Sequence, residues 1–82
     1  MKQTVTHSAQ VGQILATRRR AAKLPQRALA AKLSISQNRL SEIESNPGAI
    51  TLERLLELAN ILGLELLIQD KPPAHPSSKT EW

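Results

Sequence analysis

Hydrogen-bonding side chains are concentrated in a short segment near the middle of the chain. They are Ser36, Gln37, Asn38, Arg39 and Ser41. Gln and Asn can each form two hydrogen bonds with adenine, Arg can do the same with guanine, and a serine hydroxyl can contact a base or a phosphate. The segment therefore predicts contacts to base edges in the major groove of DNA.

Two apolar patterns on either side of a tight connection would position these side chains. Residues 26–33 have apolar residues at 29, 30 and 33, and residues 36–45 have them at 40 and 43. Such spacing places apolar residues on one side of a helix. Only residues 34–36 separate the patterns, which predicts two helices crossing at a steep angle, a helix-turn-helix.

The connection contains two serines with different expected tasks. Ser36 is suited to be the N-cap of the second helix, since its hydroxyl can accept a hydrogen bond from a first-turn N–H. Ser34 stands at the corner, where a left-handed backbone conformation usually favours glycine. A serine there should cost on the order of 1 kcal/mol.

Charge is distributed unevenly along the chain. Residues 1–41 contain eight Lys or Arg and no Asp or Glu, whereas residues 42–82 contain three basic and seven acidic residues, giving +8 and −4. This asymmetry predicts a basic face for a polyanion and a more acidic surface for another partner, although an incidental surface bias is the alternative. We expect sequence-independent phosphate contacts from Arg18, Arg20, Lys23, Gln26 and Arg27.

The remaining patterns predict an all-α domain of four to five short helices. A first helix over about 8–22 would bury Val11, Ile14, Leu15 and Ala22, and its last turn carries an arginine triplet that also suits the helix dipole. A further helix would begin at Thr51 and end before Gly63. Its predicted buried stripe consists of five apolar residues, Leu52, Leu55, Leu56, Ala59 and Leu62.

One β-strand is expected after the last helix. Leu64, Leu66 and Ile68 alternate with Glu65, Leu67 and Gln69, a period-two pattern. An isolated strand has unpaired edges, so the pattern predicts pairing with the same strand of a second chain across a two-fold axis. A last turn of helix, or an extension packed on the domain, is the alternative.

These patterns divide the chain into three parts. Residues 1–8 are expected to be a flexible N-terminus, residues 9–70 a DNA-binding domain with its dimerisation strand, and residues 71–82 a disordered tail rich in Pro and Ser. The tail ends on Trp82, the only aromatic residue in the chain. Trp82 is either inert or an anchor for a partner's pocket.

Several classes of protein are disfavoured by composition. The chain has no Cys and only two His, so no disulfide, metal site or cofactor is predicted. No apolar run is long enough for a signal peptide or a membrane span, and a cytoplasmic location is expected. The chain contains no nucleophile–base constellation, phosphate-cradling glycine loop or carboxylate cluster, so we expect no enzymatic activity.

Five positions in register resemble the phage-repressor, or Xre-type, helix-turn-helix over roughly residues 9–62. They are Gln26, Ala30, Ile35, Leu40 and Ile43. The resemblance implies that Gln26 bonds a phosphate and braces Gln37 at the start of the recognition helix. It also implies that Arg19 pairs with Glu44, which would make Arg19 mainly structural.

A narrower resemblance concerns the segments Asn46-Pro47, Thr51-Leu52, Leu64-Glu65-Leu66 and Glu81-Trp82. Together they are similar to HipB-type antitoxins, which are dimeric repressors that bind a HipA-type serine/threonine kinase toxin and repress their shared operon. This resemblance implies an intermolecular sheet built from the C-terminal strand. It also implies that Trp82 docks on the kinase.

The sequence thus leads to two functional hypotheses. In the first, a homodimer places two recognition helices in successive major grooves of a palindromic operator, about 34 Å apart, and also acts as the antitoxin of a HipA-type kinase. In the second, the protein is a stand-alone Xre-type dimeric repressor with no toxin partner.

Overall fold

The computed structural model describes residues 2–72 and contains four α-helices within them. They are α1 (Ser8–Ala21), α2 (Gln26–Leu33), α3 (Gln37–Ser45) and α4 (Leu52–Ile61), with a short 3-10 helix, Pro47–Ala49, between α3 and α4. The helical fold predicted from the apolar spacing is confirmed. The bounds of α2 and α3 also agree with the two patterns that flank the connection.

The core is aliphatic and draws on all four helices. Its least exposed large side chains are Leu29 and Leu33 of α2, Leu40 of α3 and Leu58 of α4, each under 2% exposed. Leu15 of α1 lies against them. Burying an aliphatic side chain of this size contributes roughly 1.5–3 kcal/mol, so these contacts are the main source of stability.

The predicted buried stripe of α4 is partly wrong. Leu52 is 63% exposed and Leu56 is 41% exposed, whereas Leu58, absent from the prediction, is fully buried. The side that packs inward consists of Leu55, Leu58, Ala59 and Leu62. Apolar residues occur all around α4, so the 3.6-residue period fits more than one side of the helix. Only the position of the other helices selects one.

The corner between α2 and α3 has the geometry expected of a helix-turn-helix. Ser34 adopts a left-handed conformation, with φ 58° and ψ 40°, and ends α2. The N–H of Ile35 donates to the carbonyl of Ala30 at 3.0 Å, which satisfies the end of the helix. Ser36 then caps α3, because its hydroxyl oxygen accepts from the N–H of Arg39 at 3.0 Å.

A glycine allows α1 to cross α3 at close range. Gly12 is buried in α1, and a Cβ at this position would collide with the backbone carbonyl oxygen of Glu44. The same Cβ would lie 3.2 Å from Cδ of Pro47. The sequence therefore needs glycine here because a backbone occupies the space of a side chain, rather than for a turn.

The C-terminal strand is not formed in the single chain. Gly63, with φ 73°, ends α4, and Leu64 packs back on the core, but residues 64–72 have no regular secondary structure. A lone strand has no neighbour to complete its hydrogen bonds, so this segment cannot form a ladder by itself. Its pairing with a second chain stays a prediction.

Two other expectations from the sequence concern membrane spans and the C-terminal tail. No helix within residues 2–72 has the length and apolar character needed to cross a membrane. Trp82, together with nearly all of the predicted tail, lies outside the described residues.

Candidate nucleic-acid interface

The structure brings the five predicted base-contacting side chains together at one end of the helix-turn-helix. Ser36, Gln37, Asn38, Arg39 and Ser41 are all exposed, whereas the other side of α3 buries its two large apolar residues in the core. Successive residues of a helix are 100° apart, so Gln37, Asn38 and Ser41 fall on adjacent parts of one side. Arg39 lies at its flank.

Arg39 already has a partner on α3. Its Nη1 atom donates to Oε1 of Glu42 at 3.2 Å, and both side chains are largely exposed, at 47% and 70%. An exposed i,i+3 pair of this kind contributes only a few tenths of a kcal/mol. A guanine edge can therefore displace Glu42 from Arg39 at little cost.

A nearly buried ion pair fixes α3 against α1. Nε of Arg19 donates to Oε2 of Glu44 at 2.7 Å and Nη2 donates to Oε1 at 3.2 Å, with the side chains 10% and 8% exposed. The remaining terminal nitrogen of Arg19 donates to the carbonyl of Leu24 at 3.0 Å. The Arg19–Glu44 pair implied by the family resemblance is therefore present, and Arg19 is a structural residue.

The same carboxylate extends the network to the first residue of the recognition helix. Nε2 of Gln26 donates to Oε1 of Glu44 at 3.0 Å. Oε1 of Gln26 in turn accepts from Nε2 of Gln37 at 3.5 Å, a long bond at the exposed end of the network. Gln26 thus braces Gln37, and the Glu44 network (Arg19, Gln26, Gln37 and Glu44) links α1, α2 and α3.

This network satisfies its polar groups internally. The Glu44 carboxylate accepts three hydrogen bonds, two from Arg19 and one from Gln26. Within residues 2–72 no buried side-chain nitrogen or oxygen atom is left without a partner. The nearly buried Arg19–Glu44 pair favours a single arrangement of α1 and α3, because a shift of either helix would leave a desolvated charge without its partner.

The predicted phosphate-contacting residues divide into two groups. Nε of Arg18 donates to the carbonyl of Leu62 at 2.9 Å, so this side chain is bound to the end of α4. In contrast, Arg20, Lys23 and Arg27 are exposed and form no ion pair within the described part of the chain. The last three are placed to attract a polyanion, whereas Arg18 has a structural partner.

One structural arginine was missed by the sequence analysis. Nη1 of Arg54 in α4 donates to the carbonyl of Leu33 at 2.9 Å and to Oε1 of Glu57 at 2.9 Å. The carbonyl belongs to the last residue of α2, whose C-terminal carbonyls have no partner inside the helix. Arg54 therefore stabilises the end of α2 next to the corner by pairing one of its free carbonyl groups. Arg54 and Leu33 are 21 residues apart, so no local sequence pattern could have indicated this contact.

A polar cleft beside the network was also missed. It lies between α1 and α3 and is lined by Gln13, Thr17 and Arg20 from α1 and by Gln26 and Ser41 across from them. The three α1 residues are spaced i, i+4 and i+7, so they share one side of the helix. That spacing was available in the sequence, but only the packing of α3 shows that it borders a cleft.

Comparison with known families gives a direct result. The model of the family described as Helix-turn-helix matches residues 15–68. The chain belongs to the helix-turn-helix family. The match covers α2, the corner, α3 and α4 in full, and it establishes a DNA-binding transcriptional regulator of the Xre type. No curated protein matches the chain.

Membership in the helix-turn-helix family assigns α3 as the recognition helix. The Glu44 network then has a defined task, which is to hold the start of α3 at a fixed position relative to α1 and α2. Contacts to phosphate groups fix the register of such a domain on the duplex, and contacts to base edges provide specificity. The exposed residues of α3 and the basic residues around it stay the predicted sources of these two kinds of contact.

Proposed function

We propose that the protein is a sequence-specific transcriptional repressor that binds a palindromic operator as a homodimer. One observation supports recognition of specific bases: Glu44 holds Gln26, and Gln26 contacts Gln37 through a long hydrogen bond of 3.5 Å at the start of an exposed polar helix surface. Side chains ordered before binding lose less conformational entropy when they contact DNA. The arrangement therefore favours recognition of particular base pairs over simple attraction to charge.

Recognition would use α3 in the major groove. Nine residues at 1.5 Å each make α3 roughly 13 Å long, enough to cover about four base pairs. Gln37 and Asn38 are suited to adenine and Arg39 to guanine. Gln26 gives one amide hydrogen to Glu44, which leaves the second for a phosphate oxygen.

A selection of binding sites from randomised duplexes tests this function. We expect one enriched palindromic sequence with half-sites about 34 Å apart. Arg39→Ala should then lose about 1–3 kcal/mol of discrimination at a single base position. Arg27→Ala should instead weaken all sequences alike and reduce the salt slope by about 0.9 per contact. Failure to enrich any sequence, or equal effects of the two substitutions, would contradict the proposed recognition.

Dimerisation is proposed to occur through residues 64–69. Leu66, Leu67 and Ile68 are 50%, 62% and 95% exposed in the single chain, an unusual accumulation of apolar surface. Pairing this segment with its copy would complete the missing hydrogen bonds and cover Leu66 and Ile68. The alternation of the sequence supports this arrangement.

Two lysine substitutions separate the faces of the proposed strand. Leu66→Lys should produce a monomer in sedimentation equilibrium, because it places a charge on the paired face. Leu67→Lys, one residue away and on the opposite face, should remain a dimer. Equal dimerisation of both variants would refute strand pairing, and the exposure of both side chains leaves folding unaffected.

We further propose that the protein is the antitoxin of a HipA-type serine/threonine kinase and regulates the operon that encodes both, in the cytoplasm. The support is the similarity to HipB-type antitoxins in four segments and the acidic second half of the chain, net −4. The protein would act by binding, without a cofactor or catalysis. The alternative is a stand-alone repressor without a toxin.

Affinity capture from the native host distinguishes these two functions. Full-length protein and a copy lacking Trp82 would be compared by mass spectrometry of the captured proteins. Recovery of a HipA-like kinase that decreases without Trp82, while operator binding is unchanged, would support the antitoxin function. Capture of no kinase by either protein would leave the stand-alone repressor.

A further inference from the structure

The polar cleft between α1 and α3 is open to solvent and has room for an anion. Its volume is about 400 Å³, which accommodates a phosphate group together with water. Gly12 and Ala16 lie along its α1 side, where small side chains leave room. Gln26 borders the cleft and also contacts Gln37, the first residue of α3. The cleft therefore lies next to the exposed polar residues that are predicted to contact bases.

The donors in the cleft match the acceptor-only chemistry of a phosphodiester. Arg20 carries a positive charge and has no ion pair or side-chain hydrogen bond within residues 2–72. The Thr17 hydroxyl and the Gln13 amide add donors from the same side of α1. Ser45, in contrast, donates its hydroxyl hydrogen to the carbonyl of Ser41 at 2.9 Å and offers none.

The acidic group of the cleft does not oppose an anion. Glu44 borders the cleft, but its carboxylate accepts three hydrogen bonds and is neutralised by Arg19. The remaining formal charge is that of Arg20. A neutralised pair beside one unpaired guanidinium leaves the cleft electropositive.

We propose that this cleft binds a backbone phosphate of the operator, with Arg20 as its charged contact and with Thr17 and Gln13 as additional donors. These three are positioning residues, because a phosphate held at the side of α1 fixes how deeply α3 enters the adjacent groove. The inference rests on the proposed function. It gives the phosphate contact expected of Arg20 a defined site and adds Gln13 and Thr17, which the sequence analysis did not name, to the DNA-contacting residues.

The salt dependence of DNA affinity tests this site. Affinity of full-length wild type, Arg20→Gln and Lys32→Gln for the selected operator would be measured between 50 and 200 mM salt. Lys32 is the matched control, since it is exposed in the last turn of α2 and is not among the residues that border the cleft. Arg20→Gln should reduce the slope of log affinity against log salt by about 0.9 for each bound protomer, while Lys32→Gln leaves it unchanged.

A second variant separates a direct contact from general attraction. Thr17→Val removes one hydroxyl without changing charge or size, and it should lower affinity about fivefold with the salt slope unchanged. Equal slopes for Arg20→Gln and Lys32→Gln, or full affinity of Thr17→Val, would overturn the cleft site while the proposed function stands. Wild-type protein that selects no DNA sequence would instead refute the proposed function.

Discussion

Glu44 is the residue whose loss should most disturb the arrangement of the helices. Glu44→Gln keeps the size of the side chain but removes the charge that neutralises Arg19. The two side chains are only 8% and 10% exposed, so the Arg19 guanidinium would remain almost buried without a counter-charge. Removing one partner of a buried ion pair costs about 3–5 kcal/mol.

The lower end of this range is expected at Glu44. A glutamine oxygen can still accept one hydrogen bond from Arg19, but its amide group would face the donors of Arg19 and Gln26. A loss of about 3 kcal/mol lowers the melting temperature of a domain of this size by roughly 12–24 °C. Thermal and urea unfolding followed by circular dichroism at 222 nm would measure the loss.

A matched substitution on the same helix provides the control. Glu42→Gln removes the same charge from an exposed pair with Arg39 and should cost less than about 0.5 kcal/mol. Arg19→Met combined with Glu44→Gln should be less destabilising than the sum of the two single changes, because no buried charge then remains. Equal unfolding midpoints for the Glu44 and Glu42 variants would refute the structural importance of the network.

Five further substitutions test the packing and the corner. Gly12→Ala should destabilise the domain by about 1–2 kcal/mol, because its Cβ meets a backbone carbonyl of α3, whereas Gly48→Ala, with its nearest neighbours at 3.6 and 3.7 Å, should be almost neutral in urea unfolding. Ser34→Gly should stabilise by about 0.5–1 kcal/mol by relieving the left-handed backbone strain, and an unchanged melting temperature would contradict this. Leu58→Ala should cost about 2–5 kcal/mol and Leu52→Ala less than 1 kcal/mol, an order that would reverse if the predicted stripe of α4 were correct.

The sequence by itself determined the helix-turn-helix and its exposed residues. Local signals are strong there: the spacing of Leu29, Ala30 and Leu33, the N-cap at Ser36 and a connection too short for anything but a corner. Hydrogen-bonding side chains such as Gln37 cannot be buried without partners, so their place on the exposed side of α3 followed from chemistry alone.

Arg19 and Glu44 were predicted as a pair from family resemblance, because no local rule links residues 25 positions apart. The different contacts of Arg18 and Arg20 could not be predicted from the sequence, because the two residues are chemically identical and differ only in the direction of their side chains. In the folded protein one is bound to the carbonyl of Leu62, and the other borders the polar cleft beside α3.

The tertiary structure alone decided which side of α4 faces inward and which backbone carbonyls Arg18 and Arg54 contact. In α4, apolar residues surround the helix, so burial of Leu58 rather than Leu52 depended on where α2 and α3 had packed. Arg54 could be assigned to the corner only when the end of α2 lay beside it. The periodicity of apolar residues predicts a helix and its amphipathic character. The element against which each side of the helix packs is set by tertiary contacts between residues far apart in the chain.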